Sequence, residues 1–220
     1  MLLSLVVIGC ASAPKKPAGL TGLEKENAAL KTENQTLQSK LYALSKASQP
    51  SNPNYDALVN KLQNEVNQGQ LTVTQYKDML KVEIAERIFF DEGSAKLKES
   101  GKEVLKKLGE SVKTMDGTMI RVIGHTDNVP IKPDWQKYFA TNWELSTLRS
   151  TTVVRYLQEE AGIPADRLVA VGRGENDAVA SNDTDAGRRQ NRRIEIGLVD
   201  KELESRLGEI GSVQIQQHPQ

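Results

Sequence analysis

The chain has 220 residues with Lys+Arg 29 against Asp+Glu 29, a balance that excludes a basic nucleic-acid surface or an acidic solvating tail as its organising feature. Only 38% of residues are hydrophobic, with Phe 3, Trp 2 and Tyr 5, so one compact domain with extended accessories is expected rather than two packed domains. Beyond residues 1–9 no apolar run approaches the roughly 20 residues that cross a bilayer; one cysteine forbids an internal disulfide, and two histidines, His125 and His218, leave little for a metal.

Residues 1–9 form a short apolar run ending in small residues and read as the hydrophobic part of an export signal peptide. Val7-Ile8-Gly9-Cys10 resembles the bacterial lipobox, which implies cleavage before Cys10 and lipidation of its thiol. Each buried acyl methylene contributes about 0.8 kcal/mol, so two or three acyl chains would hold the chain on a membrane. Ala11, rather than an acidic residue, follows the cysteine, which in the lipoproteins it resembles goes with transfer to the outer membrane. Residues 10–19, with Pro14 and Pro17, read as a lipidated tether.

Leu23, Leu30, Leu37 and Leu44 recur every seven residues, and Leu20, Asn27, Asn34 and Leu41 fill the other half of a heptad, so residues 20–47 read as a coiled coil. Inward asparagines must find their partners across a matched interface, which favours a parallel homodimer; a single solvated helix with a leucine stripe is the plainer alternative. As one helix, residues 20–47 would span about 42 Å. Residues 48–79 read as a proline-broken hinge and a short amphipathic helix carrying Tyr55, Leu58, Leu62 and Val66.

From residue 80 the pattern changes to alternating units: a strand over 81–90, a helix with Leu97, Val104, Leu105, Leu108 and Val112 on one face, and a strand over 118–124. A helix capped by Thr141 and Glu144 then runs to about Glu160, and strands follow over 167–171 and 191–198. The fold class predicted for 80–200 is α+β, a β-α-β-α-β-β two-layer sandwich with two helices on one face of a mixed sheet. Residues 201–220 read as a flexible tail.

Asn142, Ser146 and Arg149 share one arc of the helix that begins at Thr141, and the preceding strand delivers Asp127 to the same end of the sheet. A fixed guanidinium and a fixed carboxylate beside a helix N-terminus suit a zwitterion; equally, Asp127 and Arg149 could simply pair with each other. On this reading Arg149→Ala should abolish binding while the fold persists. Placed on a strand, Arg189 and Arg193 share one face and Arg188 and Arg192 the other, so half of them read as solvated or capping, and Gly172-x-Gly174 reads as a turn. His125 reads as a hydrogen-bonded structural residue; no catalytic set stands out, and neither an enzyme nor a cofactor is expected.

Gly124-His-Thr-Asp127, Asn142-Trp-Glu-Leu145-Ser146-Thr-Leu-Arg149, Gly162-Ile-Pro164, Val171-Gly-Arg-Gly174 and Gly187-Arg-Arg-Gln-Asn191-Arg-Arg193 together resemble the OmpA-like C-terminal domain family over roughly residues 85–198. The resemblance implies noncovalent binding of the peptide stem of peptidoglycan, with Asp127 and Arg149 on diaminopimelate, Asn142 and Ser146 in the pocket, and Asp91 and Gly93 on a loop that closes it. The 14-residue loop 128–141 is similar to that of the flagellar stator protein MotB and its relatives, but no proton-carrying membrane helix accompanies it. Together these readings imply a lipid-anchored protein on the periplasmic face of the outer membrane that links membrane to wall, or else a coiled-coil scaffold for an envelope machine.

Overall fold

The computed structural model describes residues 53–76, 79–202, 204 and 205, together with 22, 25–30, 32–34, 36, 37 and 40; it divides into two compact units, Met1–Pro50 and Ser51–Gln220. The signal peptide, Cys10 with its tether, and most of the hinge and tail lie outside the described residues. In the first unit the described residues are helical and exposed, with Leu30 and Leu37 about half accessible, and Thr32 and Thr36 back-bond to carbonyls four residues earlier. Among the described residues no helix is long and apolar enough to cross a membrane.

The second unit begins with α1 (Pro53–Lys61) and α2 (Gln63–Asn67), and Gly69, at φ 65°, turns the chain into strand β1 (Leu71–Tyr76). Strand β2 (Met79–Ala85) follows, antiparallel to β1, with Leu80, Val82 and Ile84 facing inward. The single turn α3 (Glu86–Phe89) swings Phe89 and Phe90 into the core, and α4 (Glu99–Val112) packs Val104, Leu105, Leu108 and Val112 beside them. A Cβ on Gly101 would sit 2.7 Å from the Phe89 ring, so the two elements touch backbone to ring.

Strand β3 (Thr118–His125), helix α5 (Asn142–Glu159) and strand β4 (Leu168–Gly174) form a parallel βαβ unit; helix α6 (Asp185–Asn191) then leads into β5 (Arg193–Asp200). Sheet order is β1-β2-β5-β3-β4, with β5 antiparallel to both neighbours, so the last strand sits in the middle. Ile194, Ile196 and Leu198 bury against the helices, each contributing about 2 kcal/mol through lost apolar surface.

The α+β fold stands as the sequence predicts, with three elements added, β1, α3 and α6, and one shortened. β1 falls within the predicted hinge region, because Leu71 and Val73 alone are too few apolar residues to mark a strand. α6, with Gly187 and two arginines in seven residues, has no apolar stripe to announce it. The first predicted strand stops at Ala85, where α3 begins.

Candidate functional site

Helix α5 is seated by glycines. A Cβ on Gly124 would meet the Ser146 carbonyl at 2.3 Å, and one on Gly172 would meet Thr147 Oγ1 at 2.0 Å, so β3 and β4 accept the helix only with bare backbone. Gly172 is thus strand at a close approach, where the sequence suggested a turn; Gly174, at φ 55°, makes the irregularity that follows. The predicted cap is present: Thr141 Oγ1 accepts from the Trp143 N–H at 3.1 Å, and the Thr141 N–H donates to Glu144 at 2.7 Å. The Thr141 hydroxyl, which donates to Glu144 at 2.6 Å, and the backbone N–H groups of Glu144 and Thr141 hold the Glu144 carboxyl below its ordinary pKa, so the cap occupies donors at the helix start. Fully buried Ser146 donates to the Trp143 carbonyl and accepts from the Gly174 N–H at 2.9 Å. It rivets α5 to β4 and does not line the cavity, contrary to its expected place in the pocket.

One turn on, Arg149 is only 2% exposed and faces a cavity of about 590 Å³. Asp127, Asn142, Gly93, Phe90, Trp135 and Phe139 are among the other lining residues. Arg149 and Asp127 therefore share one cavity, but they do not pair with each other. Arg149 Nη2 pairs with Glu86, its Nε donates to the Ser94 carbonyl at 2.9 Å, and its guanidinium lies 5.3 Å from the Phe90 ring centre. Asp127 pairs through Oδ2 with Arg192 and accepts the Val129 N–H through Oδ1 at 3.1 Å; Arg192 Nε lies 3.6 Å from Glu86. The charges alternate as Arg149, Glu86, Arg192, Asp127. Burial pushes the Glu86 carboxyl above its usual pKa, against the pull of Arg149 and Arg192, and lowers that of Arg149, with Glu86 opposing.

Glu86 and Arg192 were missed by sequence reasoning. Glu86 lies inside the strand predicted over 81–90, and Arg192 in a run of four arginines of which half read as solvated or capping. In fact Arg188 and Arg189 lie on α6, Arg192 follows it, and Arg193 opens β5 at 6% exposure. Asn191 signals their order: fully buried, it accepts from the Val179 and Ala180 N–H groups and donates to Ala180 and Asn182, fixing the loop before α6.

Asn142 lines the cavity as expected, but its amide donates to the carbonyls of Asp127 (3.3 Å) and Val129 (3.1 Å) and to Glu175 (2.7 Å), so it positions the loop. Gly93, at φ 66°, faces Trp135: a Cβ there would lie 3.1 Å from the indole. Glu92 and Lys132 pair at 2.6 Å across the same gap, lowering the carboxyl's pKa and raising the ammonium's. Loop 128–141 is therefore a wall of the cavity, clasped to the 91–94 turn. Asp91, expected on the loop that closes the pocket, is not among the lining residues and pairs with Lys98 at 3.2 Å. His125 is buried with neither ring nitrogen hydrogen-bonded among the described residues, contrary to expectation; Asp177 and Glu195 stand 3.9 Å away. Burial lowers its pKa to about 4, so the ring is neutral at ordinary pH. Among the described residues no group of acids, histidines or cysteines could hold a metal.

A two-layer α+β domain with a charge-lined cavity just beyond the C-terminal end of β3 defines the class. Residues 89–192 match the OmpA family, and this part of the chain is an OmpA-like domain with MotB-like relatives. Motility protein B of Bacillus subtilis (strain 168) is 35% identical over 127 residues, which are 58% of this chain and 48% of that protein; the chain thus spans about half the length of this relative. A putative MotB like protein from Desulfovibrio vulgaris superposes with TM-score 0.62 at 27% identity, covering 74% of this chain and 96% of that one. The cell wall anchor of the T6SS from Pseudomonas aeruginosa gives TM-score 0.59 at 28% identity, covering 65% and 96%.

Proposed function

We propose that this domain binds peptidoglycan noncovalently, seating the zwitterionic end of a diaminopimelate-containing stem in the cavity shared by Arg149 and Asp127. The observation that carries the reading is that shared cavity within an OmpA-like domain. Similarity to a cell wall anchor supports it. Arg149 spends Nε on Ser94 and Nη2 on Glu86, which leaves Nη1 for an incoming carboxylate; Asp127 has further lone pairs for an ammonium. The aromatic wall of Trp135 and Phe139 accommodates the methylene chain between the two ends. The role is binding without catalysis.

Through lipidated Cys10 the protein would sit on the periplasmic face of the outer membrane and tie it to the wall. A parallel homodimer through residues 20–47 is supported by the exposure of Leu30 and Leu37, one heptad apart, and would place two cavities before a polymeric ligand, raising avidity. The same exposed stripe favours a second reading, in which the coiled coil scaffolds an envelope machine and wall contact is secondary. Asp127→Asn keeps the shape and the Val129 contact but removes the charge. We expect it to lose at least about tenfold of the binding to purified peptidoglycan in pull-downs while its circular dichroism stays that of the wild type. Undiminished binding would refute the pocket assignment.

A further inference from the structure

A second cavity, of about 490 Å³, adjoins the first: Glu86, Arg87 and Arg192 line both. Its remaining walls come from Gly69–Thr72 at the start of β1, from β2, and from Arg189, Gln190 and Arg193 around the end of α6. The first two stretches precede the residues that match the OmpA family. The cavity gathers four arginines, Arg87, Arg189, Arg192 and Arg193, against Glu83 and Glu86. Both glutamates are already engaged, Glu83 by Lys81 (3.3 Å) and Arg193 (3.6 Å), Glu86 by Arg149 and Arg192. Arg87 and Arg189 are exposed, and their guanidiniums make no ion pair among the described residues. Arg193, 94% buried, holds its Nε 3.6 Å from Glu83, beyond hydrogen-bond distance, and the Nε makes no hydrogen bond among the described residues. A buried N–H that lacks a hydrogen bond and two cations without an ion pair, all lining one hollow, are the complement of an anion.

We infer that this second cavity is an anion subsite, which takes a carboxylate of the same ligand whose zwitterionic end occupies the Arg149–Asp127 cavity. The inference rests on the function proposed above. Continuity of the two cavities at Arg192 and Glu86 gives the ligand one path. The zwitterion sits at one end, and a neighbouring acidic residue of the peptide reaches Arg189 at the other.

The test measures three probes by calorimetry on the full chain: free diaminopimelate, a tripeptide ending in diaminopimelate whose adjoining glutamate keeps a free α-carboxylate, and the same tripeptide with that carboxylate amidated. Wild type should prefer the acid over the amide by roughly fivefold; Arg189→Gln should erase the preference, and Arg189→Glu should reverse it, both leaving free diaminopimelate unchanged. No preference in the wild type, or a preference that survives Arg189→Glu, overturns the subsite and leaves the first cavity standing. A variant that also loses free diaminopimelate overturns the separation of the two sites. A wild type that binds none of the probes sinks this inference and the proposed function together.

Discussion

Arg149 and Arg167 lie at opposite ends of β3 and show how one side-chain type serves two purposes. Arg167 donates through Nε to the Thr118 carbonyl, where β3 begins, and through Nη2 to the carbonyls of Val112 and Met115 at the end of α4, all within 2.9 Å. Its partners are neutral backbone carbonyls, of which that of Val112 also accepts from the Met115 N–H, and no lining of either cavity includes it. Arg149, beyond the other end of β3, is held by one carbonyl and one buried carboxylate, with a 590 Å³ cavity before it. A cation saturated by the backbone staples a fold; a cation balanced by a buried charge and left with a spare donor beside empty space can exchange partners.

The largest break in this contrast is Arg149→Ala. The sequence predicts lost binding with the fold intact; the structure alters the second half, because Glu86 is left buried without its main counter-charge. We expect a loss of about 3–5 kcal/mol in urea unfolding, and Glu86→Gln added to Arg149→Ala should recover much of it without restoring wall binding. A double variant no more stable than the single one would mean that Glu86 bears none of the cost.

The next effect concerns the pH response of the cavity end. His125 ends β3 there and is neutral in the folded state, with its pKa lowered from 6.5 to about 4 by burial. The unfolded chain binds the proton first as pH falls, so the stability conferred by the neutral ring is complete above about pH 6.5 and is lost on descending to about 4. That loss amounts to roughly 3 kcal/mol, and His125→Asn should flatten this limb of a stability profile measured by denaturant titration. An unchanged slope would show that the titration lies elsewhere. Smallest is Arg167→Ala, expected to cost about 2 kcal/mol because part-exposed carbonyls can turn to water, with peptidoglycan pull-down unaffected. Weakened pull-down would erase the distinction between the two arginines.

Local chemistry announced much of the fold. The Thr141–Glu144 cap, the apolar face of α4 and the inward alternation of β3 are each written in contiguous residues. β1 and α6 were not legible, since one is an edge strand with two inward aliphatic residues and the other a short helix whose order depends on distant contacts from Asn191. In the cavity, Asp127 and Arg149 could be named from motif and helical phase. Their counter-ions could not, because Glu86 and Arg192 are 63 and 43 positions from Arg149 in the chain and meet it only after β5 enters the middle of the sheet. Ser146 shares the arc of Arg149, yet bare backbone at Gly124 and Gly172 draws that turn of α5 onto the strands.

The cavity has a floor of strand ends and a rim of two turns, and the rim is fastened by the exposed Glu92–Lys132 pair and by the indole lying on Gly93. Mobile ions shield the first fastening within about 8 Å at physiological strength, whereas the buried charges beneath are sheltered from them. Salinity thus acts on the doorway and spares the seat: a brinier medium would change how quickly a guest of the cavity enters and leaves far more than how firmly it is held once inside.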